Sequence, residues 1–230
     1  MLSKNDQIKI CQKYYTDLWH CDCDIFNRKE NVILKSYDDG LFEYFTFGGN
    51  AVMRADESIF DWCNENLLNM DANRILGSET LNKFLCENNK FDRHEGVRYL
   101  YLYETDIAKP QNYTYKLYEN DEIYKNIPEN SAYRMALGFA GDDVIAIAAY
   151  DGDSIVSIAG ADNRMGDIWQ VGIDTLPEYR QRGLGVYLVK TISDEIVKRG
   201  KLPFYTTWSL NMASTTIALN SGYRPIWVYG

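Results

Sequence analysis

Between Asp167 and Trp208 the hydrophobic pattern changes twice, and this succession constrains the fold more than any other feature of the chain. Asp167 to Thr175 is a strand candidate, ended by Pro177, which cannot donate to a ladder. From Gly185 onward Val186, Val189, Ile192 and Ile196 recur at helical spacing and give one apolar helix face. Gly200 sits where a glycine stop belongs. Phe204-Tyr205-Thr206-Thr207-Trp208 then reads as another strand. A helix with one apolar face must bury it, here against the sheet that the flanking strands supply.

The neighbouring segments extend the pattern. Val144 to Tyr150 and Ile155 to Ala159 flank Asp151-Gly152-Asp153, the signature of a tight hairpin. Asn211 to Ser221 reads as a helix with Asn211 as N-cap and Gly222 as stop. Pro225 to Tyr229 makes a last strand. From Val144 the order is strand, strand, strand, helix, strand, helix, strand.

Residues 1–90 have a different texture. Helices are expected over Ile8 to Trp19, Asp56 to Leu68 and Ser78 to Cys86. Strands are expected at Val32 to Leu34 and Leu41 to Phe47 around the turn Asp38-Asp39-Gly40, and at Ala51 to Met53 after Gly48-Gly49-Asn50. Val97 to Tyr103 is a further strand candidate. The tyrosine-rich stretch from Lys109 to Asn130 reads as an irregular, pocket-lining loop, and Ser131 to Phe139 as a short helix. The fold class expected is α+β or α/β: a mixed central sheet flanked by helices over residues 97–230, preceded by an α+β region at 1–90.

Bulk properties exclude several function classes. The formal net charge is −9, with no lysine or arginine cluster longer than two residues, so the basic footprint of a nucleic-acid binder is missing. No run approaches the ~18 apolar residues of a membrane span, and the N-terminus lacks the apolar stretch of a signal peptide, so a cytoplasmic protein is expected. The five cysteines are an odd number and all lie before residue 90, which is no disulfide framework. Cys21-Asp22-Cys23 beside His20 lacks the second pair that a structural zinc would need, so no metal is expected. His20 and His94 read as surface or packing residues.

The junction of strand and helix carries the chemistry. After Pro177-Glu178-Tyr179 the chain runs Arg180-Gln181-Arg182-Gly183-Leu184-Gly185. A helix N-terminus offers unpaired N–H groups and partial positive charge, which suit phosphate. Glycine at 183 and 185 removes Cβ atoms that would hold a pyrophosphate away, and Arg180 and Arg182 add charge. Alone, the same turn also fits a plain strand-to-helix connection with solvated arginines, or a phosphate site for another nucleotide. Neither the lysine-containing phosphate loop nor the full dinucleotide fingerprint is present, since residue 188 is Leu.

This segment resembles the coenzyme A motif of the GNAT N-acetyltransferase superfamily, matched by Arg180, Gly183 and Gly185. Asn211 with Ser214, then Ser221-Gly222-Tyr223, resemble the family's downstream helix. The resemblance covers about residues 143–230, reaching back to Val97 as a possible first strand, and leaves 1–90 unexplained. It implies an acetyltransferase whose two central parallel strands splay apart around acetyl-CoA, the co-substrate. Ile173, Asp174 and Thr175 would then offer backbone groups to the pantetheine arm and acyl carbonyl. Backbone N–H groups of Gln181, Arg182, Gly183, Leu184, Gly185 and Val186 would hold the pyrophosphate, and Asn211 and Ser214 would reach the coenzyme from the second helix. Asn211 as a plain N-cap and Ser214 as a structural hydroxyl remain open beside that.

The implied reaction is direct attack of a primary amine on the thioester in a ternary complex, with a small-molecule or peptide amine as acceptor. The family's tyrosine acid falls at Ala218 and its glutamate base at Thr206, and neither residue can do that work. Asp174, Glu178, Tyr205 and Tyr223 stand nearby as substitutes, each with an ordinary structural role open to it. The missing tyrosine also leaves room for a non-catalytic acyl-CoA sensor.

Overall fold

The computed structural model describes residues 2–38, 41–88, 96–102 and 106–230. Two compact units emerge, one formed by Ile8–Arg98 with Ile226–Gly230, the other by Met1–Gln7 with Tyr99–Pro225.

The first unit contains most of α1 (Lys4–Trp19), then β1 (Val32–Ser36), β2 (Phe42–Thr46), β3 (Ala51–Asp56), α2 (Phe60–Asn66), α3 (Glu79–Asn88) and the start of β4 (Gly96–Tyr101). The strands expected around residues 38–40 do not pair with each other. β3 inserts between them, parallel to β1 and antiparallel to β2. Its residues explain this: Ala51, Val52, Met53 and Ala55 are all buried, as in a strand covered on both faces, with Arg54 alone between them partly exposed. Asp39 and Gly40 of the expected turn lie outside the described residues. On one side Tyr44, Met53, Cys63, Leu67, Ile75 and Leu81 form a core, with Trp62 stacked on Phe84 at 3.7 Å. On the other, Tyr15, Phe26, Phe45 and Trp227 are buried in edge and tilted ring contacts. These aromatic residues therefore fill the unit's interior, while Tyr37 stays exposed.

The second unit holds β5 (Thr114–Glu119), α4 (Asp121–Asn126), a 3-10 turn at Ser131–Tyr133, β6 (Asp143–Asp151), β7 (Ser154–Met165), β8 (Ile168–Thr175), α5 (Leu184–Lys198), β9 (Leu202–Trp208), α6 (Met212–Asn220) and the start of β10 (Tyr223–Tyr229). Its sheet runs β10-β4-β9-β8-β7-β6-β5. β5 to β8 are successively antiparallel, and β8 and β9 are parallel, joined by the α5 crossover. The expected order from Val144 onward is the observed one. The expected loop at 109–130 is not: it forms β5 and α4. β5 is an edge strand with a solvated face, so Lys116 and Leu117 stay exposed and the core signal is faint. The helix expected at 131–139 shrinks to the single 3-10 turn.

α5 lies over β6, β7 and β8. Leu184, Leu188, Val189, Ile192 and Ile196 are buried there, each large side chain stabilising by roughly 1.5–3 kcal/mol. That packing fixes where the N-terminus of α5 points.

Candidate functional site

The pairing of β8 with β9 starts at Ile168/Leu202 and ends at Val171/Tyr205. β8 continues to Thr175 and β9 to Trp208, so the two parallel strands part at their carboxyl ends. Clefts of this kind at strand carboxyl ends are where open sheets receive ligands. Backbone direction follows from two hydrogen bonds. Leu202 N donates to Asp167 O at 2.9 Å, and Leu176 N donates to Val156 O at 3.0 Å. Peptide groups alternate along a strand, so Ile173 and Thr175 present theirs to the opening while Asp174 turns its own to β7. The Asp174 carbonyl accepts from Ser157 Oγ at 3.0 Å, in keeping with that direction. The Thr175 carbonyl accepts from Arg180 Nε at 3.1 Å. The peptide of Ile173 and the N–H of Thr175 are left facing the parted strands.

Beside the opening stands the first turn of α5. Gly183 is its N-cap at φ +79°, a left-handed conformation that selects glycine. Gln181 also has positive φ, at 61°. The first intrahelical bond runs from Tyr187 N to Gly183 O at 3.0 Å. The N–H groups of Leu184, Gly185 and Val186 precede it and have no intrahelical acceptor. Gly185 serves a different purpose from the one expected of it. A Cβ there would meet Ile217 Cδ1 at 3.2 Å and Ile173 Cγ1 at 3.7 Å, so its absence lets α6 and β8 close on α5 rather than clearing the outer surface. Arg182 donates to Glu178 O at 2.8 Å and to Tyr113 OH at 3.3 Å, and its guanidinium lies 4.9 Å from the centre of the Tyr179 ring. Both arginines of the turn are exposed yet held close to it.

Strand alternation assigns the remaining side chains to two faces. Ile173 and Tyr205 share the helix face. Tyr205 is buried, its hydroxyl 2.8 Å from Ser214 Oγ, and desolvation raises its pKa so that it stays protonated. Asn211 is the N-cap expected of it, accepting from Ser214 N at 3.1 Å. Tyr223 is fully buried, 2.6 Å from Ser193 Oγ, and burial drives its pKa far up. That tyrosine belongs to the core and has no access to the opening. Ala218 is likewise fully buried. Glu178 is exposed on the 3-10 turn before the arginines.

Gly172, Asp174, Thr206 and Trp208 point to the opposite face. Gly172 pairs with Gly160 on β7, and both glycines are required by a chain crossing above them. A Cβ on Gly160 would strike the Ala136 carbonyl, and one on Gly172 the Met135 carbonyl. Asp174 fastens this strap: its Oδ2 accepts from Met135 N and Ala136 N, each at 2.8 Å. Desolvation raises the Asp174 pKa, and the two N–H bonds partly offset it. Sequence reasoning missed the strap, although isolated glycines inside two strands mark close backbone approach.

His20 lies in the other unit, and His94 falls outside the described residues. Among the described residues no group of three or more His, Cys, Asp or Glu side chains is placed to hold a metal ion. No described helix is long and apolar enough to cross a membrane.

A family model described as GNAT acetyltransferase matches residues 36–230. It reaches well into the N-terminal region that the sequence motifs leave unexplained. Similar solved structures include a GNAT-family protein from Novosphingobium aromaticivorans, 18% identical over 59% of this chain and 62% of that one, TM-score 0.47. A GCN5-related N-acetyltransferase from Sphaerobacter thermophilus is 11% identical over 66% of this chain and 55% of that one, TM-score 0.48. An acetyltransferase of the GNAT family from Colwellia psychrerythraea is 9% identical over 60% of this chain and 55% of that one, TM-score 0.44. The chain thus spans 62% of the first of these relatives and 55% of the other two. No curated protein matches.

Proposed function

The chain belongs to the GNAT acetyltransferase family, and from that premise we propose that it transfers the acetyl group of acetyl-CoA to a primary amine. The observation that carries this reading is the parting of β8 and β9 after Val171/Tyr205, directly beside the open first turn of α5. The opening offers strand peptides to an amide-bearing arm, and the turn offers N–H groups and two arginines to a pyrophosphate.

In this reading the N–H groups around Gly183 to Val186 bind the pyrophosphate, and Arg180 and Arg182 add exposed positive charge there. Asn211, at the start of α6, borders the same entrance. The peptide of Ile173 lies where the thioester carbonyl would reach, and its N–H stabilises the oxyanion that forms on attack. The amine nitrogen bonds to the carbonyl carbon, the C–S bond breaks, and the sulfur leaves as thiolate. An alkylammonium has a reference pKa near ~10.4, so the acceptor must lose a proton before it attacks. Tyr205 is protonated and hydrogen-bonded to Ser214, so this pair is suited to donating toward the thiolate and unsuited to accepting from the amine. Asp174, half-buried on the opposite face with its pKa raised, is the carboxylate nearest in sequence to Ile173 for the accepting role.

The test pairs calorimetry with a thiol-release assay. Acetyl-CoA should bind more tightly than ADP, and an amine panel should yield at least one acceptor that releases free coenzyme A. Equal affinity for ADP would remove the coenzyme reading. Tight acetyl-CoA binding with no release on any amine would identify a sensor, the reading that the buried Ala218 at the family's tyrosine position favours.

A further inference from the structure

The face of β8 and β9 away from α5 and α6 ends in an apolar lip. Trp208 is 50% exposed and Leu210, in the turn that follows it, 90%, two large apolar side chains at the end of β9. Met135, on the strap over β8, is 68% exposed. Isolated exposed hydrophobics are ordinary, but a cluster beside a cleft marks a binding surface. From Leu202 to Tyr223 the chain holds no Asp, Glu, Lys, Arg or His, although a quarter of its residues are Asp, Glu, Lys or Arg. The bordering charges are Lys201 and Arg224. β9, its following loop and α6 are therefore free of formal charge where they border the opening. On this face, the residues of the parted strand ends are Gly172 and Asp174 from β8, Thr206 and Trp208 from β9. Asp174 is the one ionisable group among them.

We propose that the acceptor is a primary amine carried on an uncharged apolar body, seated on Trp208, Leu210 and Met135 with its nitrogen toward Asp174. The inference rests on the acetyl-transfer reading above and adds the class of substrate. A polycationic acceptor would need several carboxylates along this lip, and among the described residues of the parted strand ends Asp174 is the one present. An apolar body instead removes these exposed side chains from water, which favours binding in proportion to the area covered. One carboxylate matches one ammonium. Occupation of the same surface by a second copy of the chain is the competing possibility.

The experiment measures kcat/KM with acetyl-CoA for phenethylamine and hexylamine against spermidine and kanamycin. The apolar amines should lead by at least about tenfold, the scale on which hydrophobic pockets discriminate. Leu210→Glu and Met135→Glu alter exposed side chains and should fold. Each should raise KM for phenethylamine by about tenfold, with acetyl-CoA affinity by calorimetry staying near parent values. Preference for spermidine or kanamycin would overturn the proposal, as would an unchanged KM in both variants. So would sedimentation showing a dimer that Leu210→Glu dissociates without altering KM. If acetyl-CoA does not bind at all, the coenzyme reading itself fails. If it binds and only charged amines react, the acceptor proposal fails alone.

Discussion

Gly172→Ala tests the strap more sharply than any other single substitution. The three atoms nearest the added Cβ are all backbone: the Met135 carbonyl oxygen, with Met135 C at 3.0 Å and Ala136 Cα at 3.1 Å. No side-chain rotation relieves that contact, so the strap must lift from β8. Lifting stretches the two bonds from Met135 N and Ala136 N to Asp174, both 2.8 Å. Hydrogen bonds to a charged group contribute roughly 1.5–3 kcal/mol each, so losing both costs about 3–6 kcal/mol. Replacing glycine by alanine in a strand returns roughly 0.5–1 kcal/mol. The net loss is then about 2–5 kcal/mol, which for a chain of this size lowers the melting temperature by about 4–20 °C. Calorimetric melting should show it, with Gly49→Ala as control, since no atom lies within 4 Å of a Cβ built there. A Gly172→Ala variant that melts with the control would refute the close approach of the strap and the positioning of Asp174 built on it.

Other outcomes follow from the same geometry. Gly183→Glu forces a side chain into φ +79° and sets a carboxylate at the α5 N-terminus, so acetyl-CoA affinity by calorimetry should fall by about a hundredfold or more. Tyr223→Phe removes a buried hydroxyl and one of the two hydrogen bonds of Ser193, whose bond to Val189 O at 2.7 Å remains. It should cost about 1–3 kcal/mol in denaturant unfolding and leave acetyl-CoA affinity as it was. Asp174 gives a pH test whose sign is fixed. Its folded pKa is raised, so the folded state binds its proton more tightly than the unfolded chain, and stability is lost as pH rises from the ordinary carboxylate range through the raised value. Subtracting the stability profile of Asp174→Asn from that of the parent should leave a term that falls with pH across that window; a rising term would contradict the assignment.

The parts of the site made by local sequence were legible without coordinates. Period and glycine placement marked β8, α5 and β9, and Asn211 was readable as a cap because N-capping depends on one side chain and the next few N–H groups. Features made by distant contacts were not. Gly185 looked like clearance for an anion, and only the approach of Ile217 and Ile173 shows that it serves packing. Tyr205 and Tyr223 were equal candidates in sequence. Both are buried, and position separates them: one is packed beside Ser214 at the end of the β8–β9 pairing and the other is sealed against Ser193. The position of β3 between β1 and β2 also depends on pairings that no short window contains. β5 escaped notice because an edge strand with exposed lysine and leucine carries little alternation.

The central claim is that the parted strands and the α5 turn form one acyl-CoA site. The most direct measurement is the structure of the complex with acetyl-CoA. The account predicts pyrophosphate oxygens within about 3 Å of N–H groups between Gln181 and Val186, a hydrogen-bonding distance, and the pantetheine arm against the peptide of Ile173 between β8 and β9. Acetyl-CoA bound with its pyrophosphate away from α5, or with β8 and β9 empty between Val171 and Trp208, would contradict it.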